Sequence, residues 1–456
     1  MSVAALTLSR PTFDRLLVGV LVVLACFGQP NMIYLVVPFF YPLLAAYFLL
    51  LLVYLLARDD FRFGDYVARM DIGPPLACFF VLAAVSVFYS RVPEFAATLL
   101  VSAVLKAVMF YALMIAARDA PLNGVVARSV IASAVFFSAT GILLFIGIVV
   151  FGLDPVAEFG TMNVGGGLEY DQALRFYGLG FVRSETSLLD IVFPRLQSFF
   201  AEPGYFGFFL ELSLFVTLYY KWLGSAAPRR ARRMQQAATL QVVALALTLS
   251  LGAMVAIVGG LLVYALTSRT LRLSAATVLK GAAAVLAGGL IWLFWQWFET
   301  PLSAIYQIVV AERFDSASGD YSAETRLHVF RLGLDLVVQR PIFGWGFGQV
   351  RIMLEGAGVN NSFLTVFAEL GIVGLLAYLG ILFTVVLTVR KSLRLSKPLG
   401  RNTVRATAAL AGMFAATTLH SILIDTSWTF IYWLAISLVF LHHRYLLTAA
   451  REGLQA

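Results

Sequence analysis

The sequence predicts an all-α polytopic integral membrane protein, with about twelve transmembrane helices and two large loops on one side of the bilayer. Three observations predict it. Hydrophobic residues make up 61% of 456 residues and charged ones 13%, with mean hydropathy +0.88, beyond the range of soluble domains. Apolar runs of span length recur along the whole chain. The basic residues alternate with those runs: 23 of the 33 Lys and Arg fall in loops of one side, nine in loops of the other, and Lys106 lies within a span. The positive-inside rule makes the 23-residue side cytoplasmic and puts both chain ends there. A net charge of +8 spread over short loops fits topology rather than a nucleic-acid surface.

The spans fall near 14–28, 33–57, 74–90, 98–116, 129–152, 203–221, 238–250, 253–267, 281–298, 361–389, 406–424 and 428–447. Residues 1–152 thus hold five helices, 153–202 the first large outer loop, 203–298 four helices, 299–360 the second large loop, and 361–456 the last three helices and a cytoplasmic tail. Arg10 and Arg15 precede the first apolar run like a signal peptide, but no A-x-A site follows, which predicts an uncleaved helix. Cys26 and Cys78 sit in apolar spans, so no disulfide framework is expected. The seventh and eighth spans are short and broken at Ser250, Leu251 and Gly252, giving either a shallow hairpin or one long span. The basic runs PRRARR and SRTLR flank them on one side, which requires an even number of crossings.

The second loop opens with Pro301–Arg313, apolar at helical spacing and suited to lying on a membrane surface. A helix is expected from Ser322, its cap, to the residue before Pro341. Leu327, Phe330, Leu334, Val337 and Val338 form its apolar stripe, and His328, Arg331, Asp335 and Gln339 its polar face. Arg326, near the N-terminus, either pairs with Glu324 or Asp320 or helps the free N–H groups hold an anion, phosphate above all. The first loop carries Arg175, Arg183 and Arg195 and ends RLQSFFAEPGYF, with Pro203 in the first turn of the next span and Glu202 at its cap. All nine outer basic residues are arginine, whose planar fork suits phosphate, although arginine outnumbers lysine 28 to 5 throughout.

Glu211 and Glu369 lie inside spans, where a charge costs roughly 2.5–3.5 kcal/mol, so each is a functional candidate. For Glu211 a pairing with Lys106 or an arginine is expected. Asp425 falls in the outer turn between the last two spans, as a cap or a functional group. His420 and the His442–His443 pair lie at opposite membrane ends, so no metal-ligand cluster is expected. No GxxxxGK[ST] motif is present.

The run ETRLHVFRLGLDLVVQRPIFGWGFGQV, followed by NNSFLTVFAELGIVGLLAYLGIL, resembles the signature region of the O-antigen ligase/polymerase family. That pattern has an arginine ahead of an amphipathic helix, a Pro-x-x-Gly-x-Gly turn, a His-Asn pair and a Glu-x-Gly-Ile-x-Gly helix. Arg326, Pro341, Gly344, Gly346, Asn361, Glu369, Gly371 and Gly374 match, and Asn360 stands where ligases carry histidine. Arg195 and Glu202 match a segment of the polymerase members.

The resemblance implies a GT-C-like fold at the bacterial inner membrane with a periplasmic site. It implies transfer of a glycan from undecaprenyl diphosphate, with no metal, ATP or other cofactor. Arg195, Arg326 and Arg331 would hold the diphosphate, with Asn361 and Glu369 as further substrate contacts. Asn360 would meet the acceptor, orienting its hydroxyl without acting as base. Glu202 is the first choice of base, His328 the second, and Asp320 a third. The absent histidine and the Glu-Pro pair point to a polymerase that joins lipid-linked repeat units of O-antigen, capsule or exopolysaccharide. A ligase acting on lipid A core and a transporter or flippase of lipid-linked sugar are the alternatives. Besides the bilayer and the lipid-linked donor and acceptor, the implied partners are a chain-length regulator and a flippase, and no nucleic acid.

Overall fold

The computed structural model describes residues 10–27, 46, 49–51, 53, 72–116, 122–151, 182–188, 191–198, 200, 203–223, 228–268, 321–354, 358–426 and 429–453. Its helices are α1 (Arg10–Phe27), α2 (Gly73–Val87), α3 (Pro93–Ala116), α4 (Asn123–Phe151), α5 (Pro203–Trp222), α6 (Pro228–Leu247) and α7 (Leu251–Thr267). After these come α8 (Tyr321–Gln339), α9 (Gln349–Met353), α10 (Ser362–Ser396), α11 (Arg401–Leu423) and α12 (Phe430–Gly453). Among the described residues, five helices are long and apolar enough to cross a membrane: Pro93–Ile115, Asn123–Gly147, Ser362–Ser396, Arg401–Leu423 and Phe430–Arg451. The chain is a largely helical membrane protein. The expected spans at 33–57, apart from isolated positions, and at 281–298 lie outside the described residues, as does Pro301–Arg313.

The chain is not purely helical. Within the first large loop, β1 (Val182–Leu188) and β2 (Ile191–Leu196) pair antiparallel, with Arg183 opposite Arg195 in the register. Valine, isoleucine, threonine and phenylalanine favour strands, and two residues separate the pair, a hairpin spacing. Between α6 and α7 the expected break is a turn at Thr248–Ser250, so the hairpin alternative holds. Helix α6 starts ten residues before the expected span at 238 and takes PRRARR into its first turns, because arginine and alanine form helix as readily as leucine does.

Helix α5 is the centre of the bundle, packed against α4, α6, α7 and α11. Phe206, Phe208, Phe209, Phe215 and Tyr219 are fully buried, and the rings of Phe137, Phe200 and Phe209 meet at 5.4–5.6 Å. Glu211 does not pair with Lys106 or an arginine. Its Oε1 meets Nδ1 of His420 on α11 at 2.5 Å, and both side chains are buried. The helix register decides this: Glu211 faces α11, whereas Lys106 lies on α3, whose neighbours include α12 and α2.

Helix α8 also departs from expectation in detail. Ser322 falls inside its first turn, since the helix begins at Tyr321. The buried stripe is Val329, Gly333, Leu336 and Val337, while Phe330, Leu334 and Val338 are exposed. Gly333 explains the rotation. A Cβ there would press on Val359 and Leu364, so the glycine lets the helix seat closely against the start of α10. A small second core of Leu336, Val337, Val350, Val359, Leu364 and Ala368 results. The outward apolar row continues through Ile342 and Phe343, giving α8 a second hydrophobic face suited to a membrane surface.

Candidate functional site

The matched motif builds a junction of main chain on main chain. Helix α10 is broken at Gly371 (φ 66°, ψ −167°) nine residues after it starts, which frees backbone groups from the helical ladder. Inside a membrane such groups must find partners. The turn after α8 supplies them: Trp345 N–H donates to the Ala368 carbonyl at 3.0 Å, Gly346 N–H to the Glu369 carbonyl at 2.8 Å, and Ile372 N–H to the Pro341 carbonyl at 2.8 Å. Only glycine fits at Gly344 (φ 69°) and Gly371, because a Cβ at either would overlap the opposite strand of backbone. The Glu369 side chain is buried with the backbone N–H groups of Gly348 and Val350, at the start of α9, facing its carboxyl. The same turn is latched to the α2–α3 connection. Gln349 bonds both Val92 N–H (2.9 Å) and Val92 carbonyl (3.3 Å), and the Tyr89 hydroxyl donates to the Phe343 carbonyl at 2.8 Å.

Beside this junction the polar groups meet at one end of the bundle. Asn360 is half-buried with φ 54°, a left-handed conformation that asparagine tolerates better than most residues. Asn361 caps α10: its Oδ1 accepts from Leu364 N–H at 2.9 Å and its Nδ2 donates to the Ile422 carbonyl at 2.9 Å. Ser362 Oγ lies 3.1 Å from Asp425 Oδ1, and the Tyr205 hydroxyl reaches the Asp425 carbonyl at 3.3 Å. The turn between α11 and α12 therefore gathers α5 and α10 around itself.

Arg195, half-buried near the end of β2, donates from Nε to the Thr248 carbonyl at 3.1 Å. That turn holds Leu249 at φ 47°, an unusual conformation for a branched apolar residue, and Ser250 caps α7 from it. Gly252 follows, and a Cβ there would be 3.5 Å from both His420 Nε2 and Leu423 Cδ1. A continuous path thus runs from Arg195 through the Thr248 turn to His420 and Leu423, on to Ile422 and Asn361, and over Val359 to α8.

His328 and Arg331 are exposed on α8, one turn apart. Arg326 lies in the second turn of the same helix. Glu202, immediately ahead of the first residue of α5, and Asp320, ahead of α8, lie outside the described residues. Among the described residues no cluster of His, Cys, Asp and Glu gathers three ligands. The Glu211–His420 pair and the Thr248 turn are the parts that sequence reasoning missed. Two ionisable residues inside spans, 209 positions apart, carried the only signal of the first.

These features define a polytopic helical membrane protein with a polar, arginine-bearing site at one end of its bundle, beside a broken helix. Residues 236–379, about a third of the chain, match the family described as O-antigen ligase, which supports the resemblance to the O-antigen ligase/polymerase family. Members of that family are glycosyltransferase-like enzymes acting on lipid-linked glycans in a membrane. The matched segment runs from α6 to just past the break in α10, and includes Arg326, the Asn360–Asn361 pair and the glycine junction, but not Arg195, Glu202 or Asp425. A comparison with curated proteins returns no match.

Proposed function

We propose that the protein is a polysaccharide polymerase that joins repeat units carried on a polyprenyl diphosphate, at the outer face of a bacterial inner membrane. The observation that carries this reading is the run of neighbouring groups linking Arg195, the Thr248 turn, Asn361 and α8 at a single end of the bundle. On this reading, residues from both large loops meet one substrate there. The charge pattern gives that end few lysines and arginines, which fits the outer face.

In the reaction, an acceptor hydroxyl forms a bond to the anomeric carbon of the donor glycan as the bond from that carbon to the carrier diphosphate breaks. The leaving diphosphate keeps the electron pair, and Arg326, Arg331 and Arg195 neutralise it, so protonation of the leaving oxygen is not required. The acceptor proton passes to a base. Glu202 fills that role best, next to the central helix α5, and His328 is the second candidate. Asn360 orients the acceptor through its amide. Asparagine in place of histidine at this position favours a polymerase over a ligase.

The test is reconstitution of purified protein with a short lipid-linked repeat unit, products resolved by size. Wild type is expected to build a ladder of longer lipid-linked chains, and Arg326→Ala to lower the rate by about a hundredfold or more. Transfer only after addition of lipid A core would instead identify a ligase. Transbilayer movement of the donor without any new glycosidic bond would identify a transporter.

A further inference from the structure

Lys106 is a cation in the middle of a membrane-spanning helix. It sits thirteen residues into α3, about 20 Å along its axis. Its ammonium lies 2.8 Å from Ser102 Oγ and 5.4 Å from the centroid of the Phe430 ring, and among the described residues no carboxylate pairs with it. A hydroxyl and a ring face stabilise an ammonium less than an apolar setting destabilises it, so the position calls for an anion.

The geometry indicates where an anion would enter. Helices α3 and α12 run in the same direction, since Lys106 meets Phe430 and, further along both, Phe110 meets Phe440 ring edge to face at 5.6 Å. Phe430 is the first residue of α12. The ammonium is therefore level with the turn that joins α11 to α12, the same turn that receives Asn361, Ser362 and Tyr205. On the outer flank of α3, Val101 and Val104 are exposed, as befits a surface that meets lipid. One turn beyond Phe430, the indole N–H of Trp433 is buried without an acceptor. On neighbouring helices, therefore, an ammonium has a hydroxyl but no carboxylate among the described residues, and an indole N–H has no acceptor.

We propose that Lys106, with Ser102 and the Trp433 indole, binds the phosphate of a lipid that enters between α3 and α12. On the polymerase reading, on which this last step rests, that lipid is the polyprenyl diphosphate carrier, held from the bilayer side while arginines hold it from the aqueous side. Lysine suits the role as a compact charge on a flexible stem.

The experiment is native mass spectrometry of the full chain, titrated with a polyprenyl diphosphate, with phosphatidylglycerol and with a polyprenol that lacks phosphate. Lys106→Met is expected to weaken binding of a phosphate-bearing lipid at least tenfold, Lys106→Arg less than threefold, and neither to change binding of the polyprenol. Lys106→Gln, which keeps a polar group, serves if the Met variant does not fold. A loss confined to the diphosphate names the carrier as the ligand, and a loss that includes phosphatidylglycerol names bilayer phospholipid; either upholds the phosphate site. Equal affinities in wild type and both neutral variants would overturn it. Binding is read without turnover, so a protein that needs Lys106 to bind yet builds no ladder would refute the polymerase and leave the site standing.

Discussion

The junction at Gly371 and the rim that runs from Arg195 to α8 lie side by side, and they divide the family's motif between them. Gly344, Gly346, Glu369 and Gly371 turn inward and are occupied by backbone. Arg331 and His328 are exposed, and Asn360 is half-buried. Glu369 drew attention as an acid inside a span, yet its surroundings are those of a group that organises the N-terminus of α9. The difference teaches that an unusual residue in a membrane helix marks a functional region without always being the functional group.

Substitutions can break or sharpen this division. The largest effect is expected at the junction: Gly344→Val would force a branched side chain into the Glu369 carbonyl at positive φ, and loss of monodisperse protein on gel filtration is the expected outcome. Next comes the buried Glu211–His420 pair. Glu211→Ala removes one partner of a buried pair and should lower stability by about 3–5 kcal/mol, read as a fall in the thermal transition. Asn361→Ala deletes a helix cap, with an expected loss of about 1 kcal/mol, together with the link to Ile422. A ladder assay on this variant that fell far more than its stability would move Asn361 from scaffold to substrate contact. The smallest effect belongs to His328→Ala, an exposed change expected to shift stability by within about 0.5 kcal/mol. If that variant nevertheless lost turnover and its pH dependence, the base would be His328 rather than Glu202.

Most helices were legible in the sequence because long apolar runs leave few alternatives in a bilayer. The hairpin at Thr248–Ser250 was also within reach, since flanking arginines constrain the number of crossings. The face that α8 buries was not legible. It has apolar residues nearly all round, and a close approach at Gly333 rather than the balance of its hydrophobic pattern decides which stripe packs inward. The ribbon in the first loop escaped for the opposite reason, being short, polar in its first strand and placed among charged residues. Of the site, the cap at Asn361 could be anticipated from its position ahead of an apolar run. The partners of Arg195 and Glu211 could not, because each joins segments that only the packed bundle brings together.

Three bonds across the break in α10 join main chain to main chain, and this has a consequence for how the region tolerates variation. Ile342 and Phe343 form part of the turn, the Phe343 carbonyl accepting from Tyr89, while their side chains are exposed. A library randomised at those two positions should return a broad set of apolar residues among folded, active members. One randomised at Gly344 and Gly371 should return glycine almost exclusively. The joint between loop and helix therefore fixes two backbone positions strictly and leaves the side chains beside them free to vary.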